Sequence, residues 1–480
     1  MISSIKKFFS GNIVIKKLNS FYESILYPAL ISLIILLSYI FKTEVLGVCA
    51  SIFLLSVGLI ICKDLKPLIP LLLGFILFIP NKEGFVVCSP AYIEYVLGYL
   101  PYIIVLTCFL ILSFILHFIL WGGFIKIFTK PSKLLLYSLP FALLICLNGL
   151  FSQNYSISNL IFAIVTDFCL IGLFAIFINN LTYEQNTIDF FFKTCACLAV
   201  VIIAEYITMY LSQPNFGDGK LFKYAINLGW GNSNNYGNYG CYLIAPIFYL
   251  AYKSKKQHQV ILYYILGVLT NAFVWLSLSR NGILTSCIIT AFIFIFLCLK
   301  GENKKLCFKL VIGTIIFAVL LVIALLIIVY AFKIEIKLFE ELTNLGFSDS
   351  GRFALWGNAF NAFLAYPIFG QGFFACEFES WTGFIPGMYH NTIFQLLGTC
   401  GILTLLAYCL YRYKTIKVIL YKLNDEKIFL GIIIFVLAFS SLLDNFIFHI
   451  YPTFFYVIAL ALCDLHYEKE KSLEKSLLKN

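Results

Sequence analysis

Residues 307–332 read CFKLVIGTIIFAVLLVIALLIIVYAF, an apolar run interrupted by a single charge, Lys309. A helix rising about 1.5 Å per residue needs about 20 apolar residues to cross a bilayer's hydrocarbon core, and this run suffices. Working outward, apolar segments of similar reach follow one another along the whole chain. They lie at about 24–41, 45–62, 67–80, 99–120, 133–151, 159–178, 189–211, 236–252, 259–279 and 281–299 before the quoted run, and at 390–411, 428–445 and 451–465 after it. The expectation is an all-α integral membrane protein with 12–14 transmembrane helices. The segment at 67–80 is short and bounded by Pro67 and Pro80.

Composition agrees. The 480 residues are 61% hydrophobic and 12% charged, against about a quarter charged in a soluble domain. The net charge of +10 does not point to nucleic acid, because the lysines sit in short clusters between apolar runs. That is the pattern of the positive-inside rule. With the N-terminus in the cytoplasm, only Lys42, Lys82, Lys220, Lys223, Arg280, Lys333, Lys337 and Arg352 fall outside, and every other Lys and Arg falls inside. Both termini are then cytoplasmic. Residues 1–23 carry Lys6, Lys7, Lys16 and Lys17 among Ile and Phe and are expected as a cytoplasmic interfacial segment, with 466–480 a cytoplasmic tail.

Most of the 16 cysteines lie in apolar spans, where cysteine is a small hydrophobe. No spacing suggests a metal site. Cys88 and Cys376 are the external candidates for a disulfide.

Two outer segments stand apart. Residues 212–235 hold Gly229-Trp230-Gly231-Asn232-Ser233-Asn234-Asn235. Residues 333–389 form the longest loop and are rich in aromatics, against disorder. Within it, Phe353, Trp356, Phe360, Phe363 and Leu364 recur at helical spacing, predicting an amphipathic helix over 352–364 on the outer membrane surface. Pro367 ends it, and Gly370-Gln371-Gly372 turns the chain.

The chain has three arginines against 31 lysines. Arg412 falls in a cytoplasmic basic loop. Arg280 and Arg352 fall on the outer side, where cations are scarce. The guanidinium fork suits phosphate oxygens. The bland alternatives are a snorkelling helix end for Arg280 and a surface charge or a partner for Asp349 for Arg352. His390, between Tyr389 and Asn391, stands where the long loop enters the next span. It reads as an interfacial residue or as a general base. His449 is the rival on the same side. His117, in an apolar span, reads as a satisfied core residue.

These residues carry a resemblance. Ser279-Arg280-Asn281-Gly282, Gly351-Arg352-Phe353-Ala354-Leu355-Trp356, Pro367-Ile368-Phe369-Gly370-Gln371-Gly372, His390-Asn391 and Gly401-Ile402-Leu403 occur in the order found in the O-antigen ligase/polymerase family of membrane glycosyltransferases. The resemblance covers about 225–460. It implies a GT-C-like membrane fold with an N-terminal bundle at 24–224 and a catalytic region at 225–465. It also implies a metal-independent, cofactor-free glycosyltransferase in the cytoplasmic membrane of a bacterium. The donor would be a glycan on undecaprenyl pyrophosphate, the acceptor a glycan, lipid or wall hydroxyl, with other polysaccharide-assembly proteins as further partners. Arg280 and Arg352 would bind the pyrophosphate and His390 would be the catalytic base, with Asp349, Glu377 and Glu379 as alternative bases. The Lys-, Ile-, Asn- and Phe-rich composition suggests a low-GC genome without lipopolysaccharide, which favours a polymerase, or a ligase for capsular or wall glycan, with the polymerase ahead. A flippase of lipid-linked glycan is the alternative, but it calls for charges lining a midplane cavity. Here mid-span charges are sparse, as at Asp167 and Glu205. A structural or assembly protein would not need the outer Arg and His set.

Overall fold

The computed structural model describes residues 12–80, 90–122, 132–153, 155–212, 228–332, 351–375 and 388–477; no strand is found among them. The helices, in chain order, are α1 (Ile13–Tyr22), α2 (Leu26–Phe41), α3 (Glu44–Ile61), α4 (Leu68–Gly74), α5 (Pro90–Leu97), α6 (Leu100–Trp121), α7 (Lys133–Ile145), α8 (Ile157–Asp167), α9 (Leu173–Asn180), α10 (Gln185–Leu211), α11 (Ser233–Lys253), α12 (Gln257–Leu276), α13 (Arg280–Lys300), α14 (Lys304–Phe332), α15 (Arg352–Ala365), α16 (Thr392–Leu420), α17 (Asp425–Leu443) and α18 (Ile450–Leu477). A π-helical turn over Phe168–Gly172 joins α8 to α9.

The fold is all-α and polytopic, as expected. Among the described residues, 10 helices are long and apolar enough to cross a membrane, or 11 if the bent pair α1–α2 is one span. The other three expected spans also fall on helices. Two are short, at Leu68–Phe78 and Lys133–Ile145. The third is α11, whose Asn, Gly and Tyr content holds its hydropathy down. It does not need to be apolar, because almost every residue from Ser233 to Tyr252 is buried by protein.

The chain divides into two compact units that interleave in sequence: residues 1–121 with 185–346, and residues 122–184 with 347–480. In the first unit α11 is central. Asn232 caps it by accepting from the Asn234 and Asn235 amides. Its glycines let neighbouring backbones approach closely, as small residues do between membrane helices. A Cβ at Gly237 would lie 2.6 Å from Ser277 Oγ, and one at Gly240 would lie 2.4 Å from Val274 Cγ2. The α6 and α14 helices are peripheral, with only 17% and 11% of their apolar windows buried. His117, buried in the core, donates through Nδ1 to Leu59 O at 2.8 Å, while its Nε2 has no hydrogen-bond partner among the described residues.

In the second unit α18 is the most buried span, at 83% of its window. Phe141 of α7 stacks on Tyr411 of α16 with centroids 6.4 Å apart. The predicted 352–364 helix is α15, and it docks on α16. Its Leu355, Ala359 and Ala362 are buried while Phe353, Phe360 and Leu364 are exposed. Trp356 stacks on Phe394 at 5.1 Å and 8°.

Beyond α15 the chain does not simply turn; it threads into the unit. α16 breaks at Gly401, with φ 77° and ψ −177°. Broken spans survive in a membrane when other protein groups satisfy the freed backbone. Here Gln371 and Gly372 donate to the Gly398 and Thr399 carbonyls, and Ile402 donates to Pro367 O, all at 2.9 Å. From the other side, Asn148 Oδ1 accepts from the Phe373 amide and Asn159 Oδ1 from the Phe374 amide. Ser152 Oγ donates to Gln371 O, and the Gly149 amide to Phe369 O. Glycine is required at the crossing: a Cβ on Gly401 would meet Ile368 O at 2.2 Å.

Arg412 is not in a loop. α16 continues to Leu420 and places it inside the helix. Hydropathy ends where charge begins, but hydrogen bonding carries a helix past that point.

Candidate active site

His390 sits immediately before α16, with a backbone φ of 49°. A left-handed conformation is uncommon for a residue with a Cβ and is tolerated where surrounding contacts impose it. Those contacts are present. Asn391 caps α16 by accepting from the Ile393 and Phe394 amides, and its Nδ2 donates to Leu442 O at 2.8 Å. On the preceding side, the Tyr389 amide donates to Gln395 Oε1, and Trp356 Nε1 donates to Tyr389 O. Gln395 Oε1 also accepts from Asn445 Nδ2 at 2.8 Å. The segment entering α16 is thus tied to the α17–α18 connection.

That connection supplies the partner. Asp444, just past the end of α17, places Oδ1 2.9 Å from His390 Nδ1. The histidine side chain is 44% exposed and the aspartate side chain 12%. Burial pushes the Asp444 carboxyl up, but the His390 hydrogen bond and charge, His449 and the Asn445 amide outweigh it and hold the group below its ordinary value. An ionised carboxylate only accepts, so Nδ1 carries the proton it receives. In the neutral ring, Nε2 then keeps its lone pair and is free to accept a proton.

His449 is behind this pair. Its ring packs on Phe446 and Tyr451, and its Nε2 is buried without a hydrogen-bond partner among the described residues. Burial holds this imidazole below the usual histidine range, against the pull of Asp444. His449 is therefore a buried neutral side chain, whereas His390 presents its ring edge to the surroundings.

Arg352, half-buried, is the first residue of α15, behind Gly351 in the left-handed conformation. One turn later, Leu355 and Trp356 pack on Tyr389, so the start of α15 and His390 belong to one packed cluster of the second unit. Arg280, exposed, opens α13 in the first unit, where Ser279 caps the helix by accepting from the Gly282 amide. Asp349, Glu377, Glu379, Cys88 and Cys376 lie outside the described residues. Among the described residues, no group of three or more His, Cys, Asp or Glu side chains is placed to hold a metal ion. Asp444 is the residue that sequence reasoning missed. Its signal was an acidic group at the end of a predicted span, but nothing local tied it to His390.

The O-antigen ligase family matches residues 265–409, from within α12 to within α16, so that Arg280, Arg352 and His390 fall inside the match and Asp444 beyond it. No curated protein matches the chain. The chain carries an O-antigen ligase domain at 265–409 on an all-α membrane fold, consistent with an O-antigen ligase/polymerase family protein.

Proposed function

We propose that the protein transfers a glycan from undecaprenyl pyrophosphate to an acceptor hydroxyl at the outer face of the bacterial cytoplasmic membrane, with both termini in the cytoplasm. The observation that carries this reading is the His390–Asp444 pair, in which an ionised carboxylate fixes the imidazole with Nε2 free. In the proposed step, His390 Nε2 takes the acceptor's hydroxyl proton. The acceptor oxygen bonds to the anomeric carbon, the bond from that carbon to the pyrophosphate oxygen breaks, and undecaprenyl pyrophosphate departs. Negative charge grows on the leaving group, and the guanidinium groups of Arg280 and Arg352 are assigned to it. Preorganised cations in a site of low dielectric stabilise such charge strongly, which lets the reaction run without a metal. Asp444 stabilises the imidazolium formed and keeps the tautomer, without itself taking the proton.

The Lys-, Ile-, Asn- and Phe-rich composition suggests a low-GC genome without lipopolysaccharide, so the reading is a polymerase, whose acceptor is a second lipid-linked repeat, ahead of a ligase for capsule or wall glycan. Incubating purified protein with lipid-linked repeat units tests the assignment. Release of undecaprenyl pyrophosphate together with lengthened glycan supports it. Movement of intact lipid-linked glycan across the bilayer without that release marks a flippase instead.

A further inference from the structure

The reaction proposed above does not use Arg412. This guanidinium is half-buried in α16, some 20 positions beyond the start of the helix at Thr392, at the end away from His390. It stands over the Tyr456 ring, 5.4 Å from the centroid, and Nη1 donates to Tyr456 Oη at 3.0 Å. Tyr456 in turn donates to Tyr411 Oη, also at 3.0 Å, and both tyrosines are buried. No carboxylate pairs with Arg412 among the described residues.

The groups that would ordinarily neutralise it are engaged elsewhere. Glu470 and Glu474 of α18 hold Lys422, each at 3.0 Å. Asp464 is hydrogen-bonded to Ser132 and lies near Lys427. The carbonyls at the end of α16 are also occupied, because Lys427 Nζ donates to Val418 O and Tyr421 O. A fixed cation inside a membrane helix is costly unless a counter-charge meets it. On one flank of Arg412 the helix is open: Cys409 and Ile416, its neighbours at i−3 and i+4, are exposed, and so are Leu406, Leu410, Tyr413 and Leu420. A side chain held rigidly by tyrosines, beside an apolar stripe, fits an amphiphile with a phosphate at its head and acyl chains along the stripe.

We propose that Arg412 binds the phosphate of an anionic phospholipid from the leaflet at this end of the bundle. Its free N–H edge matches two phosphate oxygens, and Tyr456 holds the fork in place. On the proposed orientation this is the cytoplasmic leaflet, where anionic headgroups settle in basic pockets between helices. The site stands whether or not the glycan-transfer reading does.

The test uses the full chain purified in neutral detergent and titrated with phosphatidylglycerol or phosphatidylcholine. Bound lipid is read by native mass spectrometry and stabilisation by thermal melting. The wild type is expected to retain and be stabilised by phosphatidylglycerol but not by phosphatidylcholine. Arg412→Gln is expected to weaken phosphatidylglycerol binding about tenfold or more, as the loss of one charge-assisted contact would. Arg412→Lys should fold, because it keeps the charge, and should weaken binding several-fold through loss of the fork. Lys417→Gln, at an exposed position on the same helix, should leave it unchanged. Wild-type binding in both Arg412 variants overturns the proposal. If Gln does not fold, wild-type binding by the Lys variant alone does so. Equal, Arg412-dependent stabilisation by inorganic phosphate also overturns it, since the site would then take a soluble anion.

Discussion

His390 and Asp444 are 54 positions apart in sequence and share a hydrogen bond of 2.9 Å between Nδ1 and Oδ1. The bond joins the entrance of α16 to the exit of α17 and decides which imidazole nitrogen faces outward. Asp444→Asn keeps the shape but removes the charge that sustains this tautomer. Turnover is expected to fall about 10²–10⁴-fold, with little change in KM for the acceptor. A variant whose KM rises while kcat is kept would show that Asp444 shapes a binding surface.

The arginines are assigned to the pyrophosphate by geometry of the fork and not by charge alone. Arg280→Lys and Arg352→Lys are therefore each expected to lose most of the activity although the positive charge remains. Both variants should insert normally, because lysine also tolerates a membrane interface. Near-normal turnover in both would make the two residues topological anchors.

The crossing of the 366–372 segment with α16 depends on backbone contact at Gly401. Gly401→Ala adds a Cβ at a φ of 77° and 2.2 Å from Ile368 O. The strained backbone alone costs about 1–2 kcal/mol, and the overlap adds to it. A clear drop in melting temperature is expected, with loss of activity even where the protein inserts. Unchanged stability would mean that the segment does not pack at the break.

His449 gives a pH signature. An unfolded imidazole titrates near about 6.5, and burial sets the folded value lower. The unfolded chain then binds more protons between those two values, so stability rises with pH there. The contribution is fully present above about 6.5 and is lost as pH falls through the folded value. Asp444, held below its ordinary carboxylate value, stays ionised over the pH range measured and adds no slope there. Melting temperature measured between pH 5 and 7 should fall on acidification, and His449→Gln should flatten the slope. An identical slope in the variant would show that His449 is not the buried neutral group responsible.

The spans and the helix over 352–364 were legible because each rests on local pattern, apolar length or 3.6-residue spacing; Arg280, Arg352 and His390 could be singled out as rare residue types, and their roles are those proposed above. What was not legible depends on residues meeting across the fold. Gly370 and Gly372 read as a turn, and a turn they make, but nothing near them announces Asn148 and Asn159, which receive the next two amides. Asp444 read as the end of a span for the same reason. Arg412 was misplaced by a different cause. The apolar run stops at Tyr411, while the helix goes on through residues whose cations snorkel or stack on tyrosine rings, as Lys417 does on Tyr413.

The central claim is that His390 is the base, and His390→Ala tests it most directly when turnover and donor binding are measured on the same preparation. Turnover is expected to fall about 10²–10⁴-fold. Affinity for the lipid-linked donor should stay near that of the wild type, because the arginines are assigned to the pyrophosphate. Full turnover in His390→Ala, or a loss that lies wholly in donor binding, would contradict the assignment.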